Sequence, residues 1–65
     1  MPSSVIASFY FNADTKTLQI KFVSGLTYLY YHVPSSVYEA FAHAKSKGSY
    51  FNRYIRDQYI FKKQK

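Results

Sequence analysis

The chain has no cysteine, so no disulfide can brace it and no thiolate can hold a metal. It has only three acidic residues, which leaves little for general acid–base chemistry. His32 and His43 lack the spacing of a zinc site, and no glycine-rich or nucleophile framework positions a serine. We therefore expect a protein that is not an enzyme and that needs neither a metal nor another cofactor.

Long apolar runs are also missing. None reaches the roughly 18–20 residues of a membrane span, and no apolar segment of a secretion signal follows the N-terminus. We expect a cytoplasmic protein without a membrane partner. With 65 residues, the chain is expected to form a single domain over residues 1–65.

Aromatic residues are abundant, with eight tyrosines and six phenylalanines. A domain this small buries only about 60% of its unfolded surface, so its core depends on large side chains. Each aromatic ring can bury roughly 150–250 Å², which makes these residues the expected source of the core. Self-association is a second way to bury surface, and it remains an open alternative.

Three segments have the composition of β-strands. Residues 17–23 alternate cleanly, with Leu18, Ile20 and Phe22 on one side, as in a half-buried strand. Residues 5–11 and 26–32 are rich in β-branched and aromatic residues, and short turns separate all three segments. The pattern predicts an antiparallel meander of three strands.

The third strand divides its aromatic side chains between two faces. Tyr28 and Tyr30 share one face, where they serve either as core or as a platform on which bases stack. Leu29 and Tyr31 lie on the opposite face, which nothing else in the chain is expected to cover.

Two short helices are predicted after the strands. The first begins at Pro34 or, two residues later, at a capping box formed by Ser36 and Glu39. Its buried face is expected to consist of Val37, Ala40, Phe41 and Ala44, with His43 capping its C-terminal end. Ser46 is expected to cap the second helix, whose buried stripe is Phe51, Tyr54, Ile55 and Tyr59.

The predicted fold class is therefore α+β, an antiparallel three-stranded β-meander followed by two short helices packed on one sheet face. Residues 62–65 form a basic tail that is expected to fray.

Charge is distributed very unevenly. Residues 45–65 hold seven Lys or Arg and one acid, Asp57, which gives +6, whereas residues 1–44 hold two lysines and two acids. Four of the seven basic residues lie within two positions of an aromatic one, namely Arg53, Arg56, Lys62 and Lys63. A concentrated positive charge interspersed with aromatic rings favours the binding of a polyanion, first of all nucleic acid.

Several residues of this region are candidates for contact with nucleic acid. Arg53 and Arg56 lie one turn apart beside Asn52 on the exposed side of the second helix. The Ser46–Lys47–Gly48 segment is either a phosphate site at a helix start or a capped loop. The candidate binding residues are Lys45, Lys47, Gly48, Asn52, Arg53, Arg56, Lys62, Lys63, Tyr31, Tyr50 and Tyr54.

The motif Tyr28-Leu-Tyr-Tyr-His-Val-Pro34, followed by Ser46-Lys-Gly-Ser-Tyr-Phe-Asn52, resembles the KTSC domain. This small family is named for its occurrence at the C-terminus of some lysyl-tRNA synthetases, and its members also occur as stand-alone bacterial or phage proteins. The resemblance covers the chain from about residue 3 to residue 61. It implies RNA as the ligand, in agreement with the charge.

Two functions remain after these observations. The first is a small nucleic-acid-binding module that prefers RNA or single strands and has weak sequence specificity. The alternative is a protein-interaction or self-association module that uses the exposed aromatic sheet face, with a protein partner or a second copy of the chain.

Overall fold

Four antiparallel strands form one sheet in the computed structural model, which describes residues 6–64. In spatial order they are β1 (Ile6–Asn12), β2 (Thr17–Phe22), β3 (Thr27–Tyr30) and β4 (Phe61–Lys63). The predicted meander is confirmed as β1 to β3, and the predicted number of strands is too small by one. The α+β class is confirmed.

Alternation along β2 separates the two faces of the sheet. Leu18 and Ile20 are fully buried on the helix side, whereas Gln19 and Lys21 lie on the other side. Turn chemistry joins the strands: Asn12 Oδ1 accepts hydrogen bonds from the backbone N–H groups of Asp14 and Thr15, at 2.9 and 3.3 Å. This side-chain turn was expected from the sequence.

Strand β4 corrects the prediction of a frayed tail. The backbone N–H of Tyr31 donates to the carbonyl of Ile60 at 2.9 Å, and that of Gln64 donates to Thr27 at 2.7 Å. The strand uses backbone groups of β3 that would otherwise form an open sheet edge. Lys62 and Lys63 are therefore paired with β3, while Lys65 lies outside the described residues.

Helix α1 spans Ser35–Ala42 and begins one residue after its N-cap, Pro34. The predicted capping box is wrong, because Ser36 already lies inside the helix and no side chain caps it. Phe41 is buried as predicted, but Ala40 is exposed. His43 ends the helix as expected, with Nδ1 donating to the Glu39 carbonyl at 2.9 Å.

Helix α2 (Lys47–Tyr50) continues into a π-helical segment (Phe51–Ile55). The predicted cap is confirmed, since Ser46 Oγ accepts from the backbone N–H of Ser49 at 3.3 Å. The prediction that Tyr54 is buried is wrong, because 50% of it is exposed. A π turn closes on the fifth residue rather than the fourth, so Ile55 follows Phe51 into the core and Tyr54 rotates outward.

The core lies between the sheet and the helical segments. Its buried side chains come from β2, β3, the link before α1, α1 itself and the π-helical segment: Leu18, Ile20, Tyr30, Val33, Phe41, Phe51 and Ile55. Among residues 6–64 there is no helix long and apolar enough to cross a membrane. The opposite face of the sheet, which we call the open face, carries Tyr10, Gln19, Leu29, Tyr31 and Lys62.

Candidate functional site

A groove of about 600 Å³ lies where the helix side of the sheet meets α2 and the π-helical segment. We call it the aromatic groove. It draws on segments far apart in the sequence: the β2–β3 hairpin, α2, the π-helical segment and β4. Its lining residues are Phe22, Val23, Ser24, Leu26, Tyr28, Tyr30, Gly48, Phe51, Asn52, Arg56, Asp57 and Phe61. A cavity of this volume is in the range of small-ligand sites.

Aromatic rings form the floor of the groove. The ring centroid of Phe61 lies 5.4 Å from that of Tyr28 and 5.5 Å from that of Tyr30. The Phe22 ring meets Tyr28 edge to face at 5.6 Å. Half of Phe61 remains exposed, whereas Tyr30 is 3% exposed. The floor is thus held by the core at one end and offers an exposed ring at the other, which suits a flat ligand.

Polar side chains form the helical wall. Arg56 Nη1 donates to Asn52 Oδ1 at 3.2 Å, across one turn of the π-helical segment. This contact orients the guanidinium along the wall, where it still has further N–H donors. Asp57 follows directly and adds the groove's one carboxylate. The wall therefore combines donors and acceptors within reach of an aromatic floor.

The pKa of the Tyr30 hydroxyl depends on its burial and on the charges of Arg56 and Asp57. Burial raises the pKa of Tyr30 to about 12, Tyr28 and Asp57 act in the same direction, and Arg56 opposes them. Because the phenol keeps its proton at neutral pH, it can donate a hydrogen bond. Tyr30, Arg56 and Asp57 all line the groove.

The structure brings three of the sequence-predicted residues into the groove, namely Gly48, Asn52 and Arg56. Two more flank it. Lys47 immediately precedes Gly48, and Lys63 pairs across the sheet with Tyr28. One basic residue thus lines the groove, and two more are neighbours of its lining residues along the chain or across the sheet.

The other predicted residues do not join the groove. Tyr50 and Tyr54 pack together on the helical surface, with ring centroids 4.6 Å apart, and the exposed Arg53 lies on the same segment. Tyr31 lines a second, shallower cavity on the open face. Two lysines complete the set: Lys45, exposed between the helices, and Lys62, which pairs with Leu29 on the open face.

Ser46 caps the start of α2. The backbone N–H groups of Ser49 and Tyr50 are taken by the Ser46 hydroxyl and the Ser46 carbonyl. Gly48 is buried against the groove and does not face outward. These contacts give Ser46 a capping role, and a phosphate site at this segment stays a prediction.

Sequence reasoning did not include nine of the twelve groove residues, among them Phe22, Tyr28, Asp57 and Phe61. Tyr28 was weighed as a stacking residue but left out, because it shares a face with the core. Phe61 directly precedes residues 62–65, the tail expected to fray, and is not among the candidate binding residues. A signal was available for Asp57, which is the only acid in the basic third of the chain. Among residues 6–64, no three acidic or histidine side chains are grouped as a metal site would require.

Comparisons with known proteins agree with this architecture. The sequence model of the KTSC domain matches residues 2–59. A crystal structure of a KTSC domain protein from Yersinia pestis superposes with a TM-score of 0.90 at 33% identity, covering 100% of this chain and 92% of that one. A protein of Tsukamurella paurometabola is 32% identical over 88% of this chain and 85% of its own length.

Two longer relatives carry the name lysine–tRNA ligase. The one from Nostoc punctiforme is 45% identical over 89% of this chain, and the one from Trichormus variabilis is 36% identical over the same share. The chain spans only 10% of the length of either ligase. The similarity is therefore to a small part of each ligase.

Proposed function

The chain belongs to the KTSC domain family, and we propose that it is a small nucleic-acid-binding module that takes single-stranded RNA into the aromatic groove. The observation that carries the proposal is the position of the charge. The net charge of +6 comes from the last third of the chain, and Lys47, Arg56 and Lys63 lie in or beside the groove. A polyanion drawn to this field meets aromatic rings there.

The groove supplies the two kinds of contact that single strands need. An unstacked base can lie against the exposed ring of Phe61, with Tyr28 behind it. Arg56, Lys47 and Lys63 can then neutralise phosphates on either side. A base in a duplex is already stacked on its neighbours and cannot enter, which favours single strands or loops over duplex DNA.

The relatives named lysine–tRNA ligase support RNA as the ligand, since that name specifies a tRNA substrate. Because the chain matches only 10% of such a ligase, we propose binding without catalysis for it, and no cofactor. We also propose that it acts in the cytoplasm, where RNA is abundant, and without a membrane partner.

The salt dependence of RNA binding tests this assignment. If Lys47, Arg56 and Lys63 each neutralise one phosphate, log K should fall with log salt at a slope of about −2. Replacing Arg56 and Lys63 with Gln should remove about 1.4 units of that slope, at about 0.7 per contact. Fluorescence anisotropy of a labelled RNA oligomer, measured over a series of salt concentrations, gives both slopes.

The matched control is Lys16→Gln with Lys21→Gln. It removes the same charge from the β1–β2 turn and from β2, away from the groove. The slope of this control should stay within about 0.3 of the wild-type value, since neither lysine neutralises a phosphate. Equal losses from the two double variants would mean nonspecific attraction by net charge and would contradict a site in the groove.

A second function has one specific observation in its favour. On the open face, Tyr10 is 62% exposed and Leu29 and Tyr31 lie beside it, so the face offers apolar surface to a protein partner or to a second copy. A complex held by this face should survive nuclease and should be lost with Tyr10→Ala and Tyr31→Ala together. RNA binding in the groove should be unaffected by the same substitutions.

A further inference from the structure

The acid in the aromatic groove opposes the charge around it. Asp57 is the one negative residue among residues 45–65, yet it lines the groove next to Arg56. A carboxylate at this place repels phosphate, so a site built only for the backbone of RNA would be better without it. Its position on the wall beside an aromatic floor instead suits contact with the edge of a base, where carboxylates accept hydrogen bonds from amino and imino groups.

We propose that the aromatic groove selects guanine, with the Asp57 carboxylate accepting from the N1–H and the N2 amino group of the base. This inference rests on the proposed function and adds the identity of the preferred base. Arg56 and Asn52, which line the same wall, supply donors for the guanine O6 atom.

The hydrogen-bonding edges of the four bases explain the selectivity. Guanine presents two donors side by side, N1–H and N2–H, which match the two oxygens of a carboxylate. Adenine and cytosine present a ring-nitrogen acceptor beside their amino group, and uracil flanks its N3–H with two carbonyls. Each of these would place an acceptor against Asp57, and two facing acceptors repel each other and leave hydrogen bonds unmade, which weakens binding.

The surroundings of Asp57 fit this role. Asp57 lines the groove together with Tyr28, Tyr30 and Phe61, and it is exposed, so a base that enters the groove can reach its carboxylate. The Phe61 ring supplies the stacking surface, and a groove of about 600 Å³ has room for one nucleotide. Stacking on Phe61 can hold any base, and hydrogen bonds between the edge of the base and both Asp57 and Arg56 then distinguish guanine from the others.

The test uses short uridine oligomers that carry one central G, A, C or U, with affinity measured by fluorescence anisotropy. We expect the G oligomer to bind at least about tenfold more tightly than the other three. Asp57→Asn should reduce this preference to about threefold or less, because an amide offers one acceptor where the carboxylate offers two. The affinity for the other oligomers should rise slightly, since a repulsive charge is removed.

Asp14→Asn is the matched control, because it makes the same charge change in the exposed β1–β2 turn. It should keep the preference for G. Equal binding of all four oligomers by the wild-type chain, or an Asp57→Asn variant with an unchanged preference, would overturn the selection of guanine and leave the proposed function intact. If no oligomer binds to the folded protein, the proposed function fails, and the inference fails with it.

Discussion

Phe41→Ala is expected to lower the free energy of unfolding by about 3–5 kcal/mol. Phe41 is fully buried in α1, and its ring meets Phe9 of β1 edge to face at 4.9 Å. It thus joins the helix to the sheet, and its removal leaves a cavity that short elements cannot close. A domain of this size has only about 3–10 kcal/mol of stability in total, so most of the population should unfold.

Urea or thermal denaturation followed by circular dichroism measures this loss. The control is Tyr10→Ala, which removes a larger aromatic side chain from the open face, where 62% of it is exposed. Tyr10→Ala should cost about 1 kcal/mol or less. If the two variants were equally destabilised, the assignment of the two sheet faces would be wrong.

Phe61→Ala is expected to weaken RNA binding about 5- to 150-fold, which corresponds to the 1–3 kcal/mol that base stacking on an aromatic ring contributes. Phe61 is the most exposed ring of the groove floor, so it is the ring that a base can reach. Isothermal titration calorimetry with a short RNA should detect the loss.

Stability has to be measured alongside, because Phe61 also packs on Tyr28 and Tyr30. Phe61→Leu serves as the matched variant, since it keeps apolar contact with both tyrosines but has no π-face. It should fold like the wild type and bind RNA nearly as weakly as Phe61→Ala. Full affinity in Phe61→Leu would show that stacking on this ring does not hold the base.

Much of the fold could be predicted from local patterns. The alternation at Leu18 and Ile20 identified the buried face of β2, and Ser46 was recognised as the cap of α2 from its chemistry alone. Both features depend on residues close together in sequence. The same holds for the turn at Asn12, where one side chain satisfies neighbouring backbone groups.

The predictions were wrong where the local structure depends on effects that its own residue pattern does not show. Strand β4 has three residues, two of them lysines, so it has no periodicity of its own and forms because the edge of β3 is available. Tyr54 was placed in the core by assuming α-helical spacing, whereas the π-helical segment turns it outward. Neither effect is visible in a local window of sequence.

The groove was only partly predictable for the same reason. Charge and composition drew attention to Asn52 and Arg56, which lie on its helical wall. Its floor depends on Tyr28 and Phe61, which are more than thirty residues apart and meet only because β4 pairs with β3. The polar residues of the wall could thus be predicted from the sequence. Their position next to the aromatic rings could not, because it depends on the pairing of β4 with β3.

The most direct test of a nucleic-acid site in the aromatic groove is an NMR titration of the isotope-labelled chain with short RNA, single-stranded DNA and duplex DNA. With RNA, the largest amide shifts should fall on Gly48, Asn52, Arg56 and residues 61–63, and single-stranded DNA should shift the same signals more weakly. Duplex DNA should produce small shifts at most. Shifts concentrated on Tyr10, Gln19 and Tyr31 of the open face, or no shifts with any nucleic acid at about 50 mM salt, where electrostatic binding is strong, would contradict the account.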